Sequence, residues 1–224
     1  MELILAQPHV GTTVKCDGEE SDPFAFISVL NLRAHREKDA VKQLMNYRLK
    51  RTAGKKGFEN VKSLLHGGSD ANVGLILTER FINMPHQIVP PLYRMLAEES
   101  AAAASEGQTF TFTHFIILSK TYLEVASALD DATQPKKKKS KNESNGAALE
   151  TFFFHPEDAA LARHASGVCN FDYENAGHAG ASDARRAFQD AGIKPQGHVL
   201  LFERSKIEDA IAEVEKYLGA ESET

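Results

Sequence analysis

The sequence predicts an α/β fold: a single domain over residues 1–224 in which a mixed β-sheet is covered by helices. Three observations carry this. Short β-branched and aromatic runs alternate with segments whose apolar residues recur at helical spacing. The last third holds three strand-and-helix pairs, yet the whole order lacks the regular βαβ rhythm of a Rossmann fold. With 224 residues and 42% hydrophobic content, the chain can build one sizeable core and bury roughly 70% of its unfolded surface.

Taken in order, Val10 to Cys16 and Phe24 to Leu32 read as strands. Val41, Leu44, Met45 and Leu49 mark a helix, and Phe58, Val61, Leu64 and Leu65 a shorter one that Gly67-Gly68 ends. Gly74 to Leu77 is a short apolar run of the kind found in a fully buried strand. Glu79 and Arg80 follow where that strand leaves the core. Arg80 is expected to sit partly buried and to pair a carboxylate or backbone carbonyls, because a guanidinium there must be satisfied. Phe81 and Ile82 are expected to return to the core. Asn83-Met84-Pro85 is turn chemistry, and Pro90 and Pro91 suit the first turn of a helix carrying Leu92, Met95 and Leu96 at helical spacing. Glu79, Arg80, Asn83 and Pro85 thus read as residues that fix a strand-to-helix connection.

Thr109 to Leu118 reads as a central strand, with Phe110, Phe112, His114 and Ile116 on one face and Phe115 and Ile117 on the other, followed by a helix from Tyr122 to Leu129. Gln134 to Gly146 has no apolar anchor and reads as a flexible basic loop that displays Lys136, Lys137, Lys138 and Lys139. Leu149 to Phe154 is a strand. Pro156 opens a helix whose first turn carries Glu157 and Asp158, where negative charge suits the amide dipoles. Phe171 to Tyr173 ends the next strand, Ser182 caps a helix that Gly192 terminates, and Val199 to Phe202 is the last strand. Ser205-Lys206-Ile207-Glu208 reads as a capping box. The helix it opens buries Ile207, Ile211, Val214 and Leu218 and leaves Glu208, Asp209, Glu213 and Glu215 for its outer face.

Composition narrows the function classes. Cys16 and Cys169 stand far apart with no metal-ligand spacing, which argues against a disulfide framework or a zinc site and for a reducing compartment. The opening MELILA is too short for a signal-peptide core, no run approaches a membrane span, and a soluble, unsecreted protein is expected, with no membrane partner. The formal charge of -5 suits a basic protein partner better than direct nucleic-acid contact. There is no phosphate-binding Walker loop and no nucleophile elbow, and none of the nine histidines pairs with a carboxylate or cysteine at ligand spacing.

The segment GLILTERFINMPHQIVPPLYRML, Gly74 to Leu96, together with DPFAFISVLNL, FIILSKTYLEV, the lysine run, FFFHPEDAALARHA, FDY, RAFQDAGIKPQGHVLLF and the terminal EKYL, resembles the BCCIP family of eukaryotic nuclear proteins, in its fungal form. The resemblance spans most of the chain from Asp22 onward. It implies a sheet reminiscent of the acetyltransferase fold and a non-enzymatic nuclear adaptor and chaperone, without cofactor, that escorts a large-subunit ribosomal protein and supports nuclear export and ribosome biogenesis. The partners implied are basic protein clients and nuclear transport factors, with a monomeric protein shuttling between nucleus and cytoplasm. It also implies a longer acidic front extension that this sequence lacks. The rival reading is an acetyltransferase-like enzyme with a degenerate cofactor loop at Arg51-Thr52-Ala53-Gly54-Lys55-Lys56, which departs from [QR]-x-x-G-x-[GA] at its last position and follows a helix rather than preceding one. Client binding is expected on Glu208, Asp209, Glu213 and Glu215. Phe81 and the proline-rich helix start are the alternative should affinity not depend on salt.

Overall fold

The β-branched and aromatic runs of the sequence assemble into a seven-stranded mixed sheet in a computed structural model that describes residues 2–66, 70–125, 150–174 and 191–221. The elements are α1 (Glu2–Leu5), β1 (Thr12–Val14), β2 (Ala25–Asn31), α2 (Asp39–Thr52), α3 (Val61–His66), β3 (Val73–Arg80), a 3₁₀ turn (His86–Ile88), α4 (Val89–Ser105), β4 (His114–Glu124), β5 (Thr151–Phe153), α5 (Glu157–His164), β6 (Gly167–Asp172), β7 (Ile193–Glu203) and α6 (Arg204–Glu221). The strand order is β1-β2-β3-β4-β7-β6, with β5 paired to β4. β2 runs antiparallel to both β1 and β3, whereas β3 and β4 are parallel, in the register Val73 opposite His114 to Ile76 opposite Ile117. A parallel pair needs a crossover, and α4 supplies it.

The chain divides into two compact units. The first comprises Met1–Ser119, His155–Cys169 and Val199–Thr224 and is layered. Ala25, Ile27, Val29, Ile76, Ile117, Leu200 and Phe202 belong to a core shared with Leu92, Tyr93 and Leu96 of α4, Leu161 of α5, and Ile207, Ile211, Val214 and Leu218 of α6. Leu75, Ile116 and Val199 instead line a small space with Leu44, Met45 and Leu49 of α2 and Val61 and Leu65 of α3. Strands buried on both faces lose the polar alternation of a half-exposed strand, which is why β2 and β3 read as continuous apolar runs. Gly74 makes close packing possible here: a Cβ on it would lie 2.8 Å from Val29 Cγ2 and 3.0 Å from Phe112 and Phe115 Cδ1.

The second unit comprises Lys120–Phe154 and Asn170–His198. Tyr122 stacks on Phe152 at 5.3 Å, Phe153 meets His198 edge-on at 5.5 Å, and Asp172 accepts hydrogen bonds from Lys194 Nζ and Gln196 Nε2, both at 2.8 Å. His198 is buried, its Nδ1 against Asn170 Oδ1, and burial pushes its imidazole down to about 4.

Several sequence expectations are corrected. No helix begins at Tyr122. β4 runs on to Glu124, because Thr121, Tyr122 and Leu123 pair with Phe153, Phe152 and Thr151, and a partner strand of aromatic residues decides between strand and helix. The strand expected from Thr109 starts only at His114. Ahead of it, the carbonyls of Thr109 and Thr111 accept from the side-chain amides of Asn31 and Asn72 rather than from a neighbouring strand. The capping box is not used as such, since α6 starts at Arg204 directly after β7 and places Ser205 inside its first turn. Met95 is exposed, although Leu92 and Leu96 are buried. Phe81 and Ile82 do not return to the core, being 57% and 84% exposed. Gly67-Gly68, the Gln134 to Gly146 loop with Lys136 to Lys139, and the helix of Ser182 lie outside the described residues.

Candidate functional site

Residues 81–88 connect β3 to α4 beside a buried cluster of charge. Strand pitch turns alternate side chains to opposite sides, so the end of β3 sends Arg80 inward and leaves Glu79 and Phe81 outward. Arg80 makes a bidentate pair with Glu157 of α5, Nε to Oε1 at 3.1 Å and Nη2 to Oε2 at 3.0 Å, and both side chains are only 8% exposed. Its Nη1 donates to the Met84 carbonyl at 3.2 Å. One guanidinium therefore ties the end of β3 to the start of α5 and closes the turn between. Phe81, the next residue, therefore faces outward, where its ring meets Phe24 edge-on at 5.7 Å and its amide donates to Phe24 O at 3.0 Å.

The turn itself follows its residues. Met84 N donates to Phe81 O at 3.0 Å, exposed Asn83 sits at its tip, and Pro85 holds an extended geometry that starts the 3₁₀ turn. Pro90 lies in the first turn of α4, where its missing amide hydrogen costs nothing. Glu79 Oε1 lies 3.6 Å from His155 Nε2.

Asp158 lies beside Glu157 and is buried, with Ser119 Oγ donating to its Oδ2. Burial pushes its carboxyl up to about 7 and the neighbouring Glu157 adds to this, against the opposing pull of the Ser119 hydrogen bond, His155 and Arg80. Tyr93 of α4 is also buried, and burial together with Asp158 and Glu157 raises its phenol well above the ordinary value. A carboxyl near neutrality is a common sign of acid–base work. Here it is 4% exposed and its hydrogen bond goes to the protein's own serine, so the cluster fixes structure rather than meeting a substrate. Sequence reading found Arg80 and the helix start at Glu157 and Asp158 but did not join them; the signal available was a basic residue at a buried strand end and two acids at a helix start.

On α6, Glu208, Asp209 and Glu215 are exposed and Glu213 is half-buried. Glu213 accepts from Arg163 of α5 at 2.9 Å, and Glu215 pairs with Arg94 of α4. The same helix buries Ile207, Ile211, Val214 and Leu218 beneath them. At the loop Arg51 to Lys56, the amides of Ala53 and Lys55 donate to Leu49 O and Thr52 O, each at 3.0 Å, and so close the end of α2. Amides used in this way are not presented to a pyrophosphate, and a helix C-terminus is the wrong end for one. Among the described residues no cluster of His, Cys, Asp and Glu could hold a metal ion, and no helix is long and apolar enough to cross a membrane. Cys16 and Cys169 are free thiols.

The profile of the BCCIP family matches residues 1–161. This chain belongs to the BCCIP family. Among its relatives, Protein bcp1 of Aspergillus fumigatus is 45% identical over 218 residues, covering 97% of this chain and 74% of the relative. Protein bcp1 of Schizosaccharomyces pombe is 41% identical over 221 residues, covering 98% and 77%. The crystal structure of BCP1 from Saccharomyces cerevisiae aligns with a TM-score of 0.58 at 24% identity, over 96% of this chain and 71% of that one, which establishes the shared fold. The β3-to-α4 segment lies wholly inside the part that matches the family profile.

Proposed function

We propose that this chain is a non-enzymatic nuclear adaptor and chaperone that holds a basic protein client, such as a large-subunit ribosomal protein, and supports its nuclear export and ribosome biogenesis. The observation that carries this reading is the outer face of α6, where Glu208 and Asp209 stand exposed on a helix whose opposite stripe is fixed in the core. A free ribosomal protein presents positive charge meant for phosphates, and fixed carboxylates can cover that charge without a conformational search. Membership of the BCCIP family supports the same reading. Capture of a purified basic ribosomal protein by the full chain should weaken steeply between low and physiological salt, and Glu208→Lys with Asp209→Lys should slow association more than it speeds dissociation. Affinity independent of salt refutes the acidic face.

A second reading is favoured by the exposure of Phe81 and Ile82, two large apolar side chains at the tip of a turn clamped from below. Phe81→Ser with Ile82→Ser then abolishes capture that salt does not affect. Import into the nucleus is assigned to Lys136 to Lys139, and replacing all four by alanine should leave a tagged protein in the cytoplasm. The acetyltransferase-like alternative requires saturable acetyl-CoA binding, which calorimetry on the full chain tests directly.

A further inference from the structure

We propose that an apolar groove over the outer face of β1 and β2, continued by Phe24, Phe81 and Ile82, is a docking surface for an amphipathic segment of the protein client whose apolar residues are flanked by lysines and arginines. All of these groove residues belong to the first compact unit. In the β2–β3 register Ala25 stands opposite Arg80 and Phe26 opposite Glu79, so Ala25 faces the core and Phe26 shares the outer face with Glu79. Phe24, two residues earlier, continues that face. Its ring meets Phe81 at 5.7 Å, and Phe81 N donates to Phe24 O at 3.0 Å.

Beyond Phe26 the same face opens into a groove of about 400 Å³ lined by Ile4, Leu5, Pro8, Thr13, Pro23 and Phe26. One wall of it, residues 4–12, is fixed. Gln7 Nε2 donates to Val29 O at 3.0 Å, Ser28 Oγ donates to Val10 O at 3.1 Å, and Thr12 Oγ1 donates to Glu99 Oε1 at 2.6 Å. Gly11, at φ 129°, lies so near β2 that a Cβ there would stand 2.9 Å from Ser28 Oγ. A wall tied down on both sides of residue 10 loses little freedom when a partner binds. Leu5, at 74%, joins Phe81 and Ile82 as the three most exposed large apolar side chains among the described residues, and all three lie at this strip.

Apolar area alone would admit a lipid surface as well as a peptide. The rim decides between them. The loop from β1 to β2 carries Asp17, Glu19, Glu20 and Asp22, all exposed, and Pro23 of the groove follows directly. From Met1 to Asn31 the chain has five acidic residues, these four and Glu2, against one lysine, Lys15, and no arginine. Lys15 Nζ donates to the Glu19 carbonyl. Anionic lipid meets like charge at this rim, whereas a segment with lysines or arginines beside its apolar residues is complementary to rim and strip together. The strip holds the segment, and the rim steers and selects it. With strands about 4.8 Å apart, the strip from β1 to β3 is about 10 Å wide, the rise of about two helical turns and so the spacing of anchors at i, i+3 or i+4 and i+7. The inference rests on the second reading above, in which Phe81 and Ile82 meet the client, and extends it to a groove and to the chemistry of the segment that fits there.

The test uses the full chain and a fluorescent peptide of about 14 residues with leucines at i, i+3, i+4 and i+7 and lysines elsewhere, read by anisotropy between about 50 and 200 mM salt. A scrambled peptide of the same composition and one with glutamates for the lysines are the comparators. The lysine peptide is expected to bind about tenfold or more tightly than either. Leu5→Lys with Pro23→Lys, both at exposed positions, should weaken it about tenfold, and Glu19→Lys with Glu20→Lys about threefold, a loss that shrinks as salt rises. Glu59→Lys with Glu98→Lys makes the same charge change at exposed positions elsewhere and should leave affinity unchanged. If Leu5→Lys with Pro23→Lys lowers the melting temperature, the rim pair decides. Parental affinity in the groove and rim variants overturns the proposal; if Phe81→Ser with Ile82→Ser still weakens capture of the basic ribosomal protein, the contact at the turn stands without the groove. Equal binding of the glutamate peptide, binding of phosphatidylserine vesicles, or self-association of the chain that Leu5→Lys abolishes also overturns it.

Discussion

Replacing Arg80 by leucine tests the centre of the structural argument. The guanidinium makes three hydrogen bonds, two to Glu157 at 3.1 and 3.0 Å and one to Met84 O at 3.2 Å, and the two paired side chains are each 8% exposed. With the cation gone, the Glu157 carboxylate stays buried beside Asp158 with neither of its two charge-assisted bonds. Truncating one partner of a buried pair costs about 3–5 kcal/mol, most of it the penalty of the orphaned charge. For a chain of this size that is a fall in melting temperature of about 10 °C. Glu157→Leu should cost a similar amount for the mirror reason. The double variant removes both charges and puts apolar volume in their place, so it should recover to within about 2 kcal/mol of the parent. Urea denaturation of the four proteins gives the coupling energy directly. Arg80→Leu should also release Met84 O and speed amide exchange at residues 81–84. Parental stability in Arg80→Leu, or additive losses in the double variant, would refute the claim that this pair holds the β3-to-α4 segment.

Asp158 binds a proton in the folded state, with its carboxyl pushed up to about 7 from 3.8, that the unfolded chain has already released. Stability should therefore fall as pH rises from about 4 to 7, by on the order of 4 kcal/mol, and Asp158→Asn should flatten that slope in urea titrations; an unchanged slope counts against it. His198 works in the opposite sense, since a folded-state value near 4 against 6.5 means that the unfolded chain takes up the proton first. Its share of stability, on the order of 3 kcal/mol, is present above about pH 6.5 and lost as pH falls toward 4, and His198→Gln should remove that acid-side loss. Gly74→Ala forces a methyl against Val29, Phe112 and Phe115 and should cost about 1–3 kcal/mol by urea denaturation; a neutral effect would mean that the aromatic pair gives way.

What could be read from the sequence was what local chemistry decides. β2, β3, α4 and α6 are each legible in their own periodicity: Pro90 sits in the first turn of α4, and the Ile207 to Leu218 stripe sets the inner face of α6. The misreadings fall where a remote partner decides. Thr121-Tyr122-Leu123 is strand because Phe152 and Phe153 lie beside it, and Thr109 to Thr113 is not strand because Asn31 and Asn72 take its carbonyls. No window of sequence around residue 122 or 110 contains those partners. Arg80 is the same case in the site: that it needed a partner followed from its place at the end of an apolar strand, but Glu157 stands 77 residues away and no spacing points to it. Phe81 was misplaced because hydrophobicity alone assigns an aromatic residue to the core, whereas strand alternation after an inward Arg80 sends it out.

The two readings of the β3-to-α4 segment, as turn geometry and as contact surface, are consequences of one arrangement. Alternation along a strand means that an inward guanidinium is bought with an outward neighbour, and here that neighbour is Phe81, followed by Ile82. Arg80 cannot be satisfied by β3 alone. Its third donor reaches Met84 O, four residues ahead, which draws the turn down and leaves the residues in between at the apex. A flexible loop would let two large apolar side chains fold back onto the nearest apolar surface. A loop pinned at residue 80 by an ion pair, at residue 84 through its carbonyl, and at residue 85 by a proline cannot do so without breaking a buried charge pair. The interior chemistry of Arg80, Glu157 and Asp158 thus sets which side chains stand outside the core, and the client contact proposed for Phe81 and Ile82 depends on it.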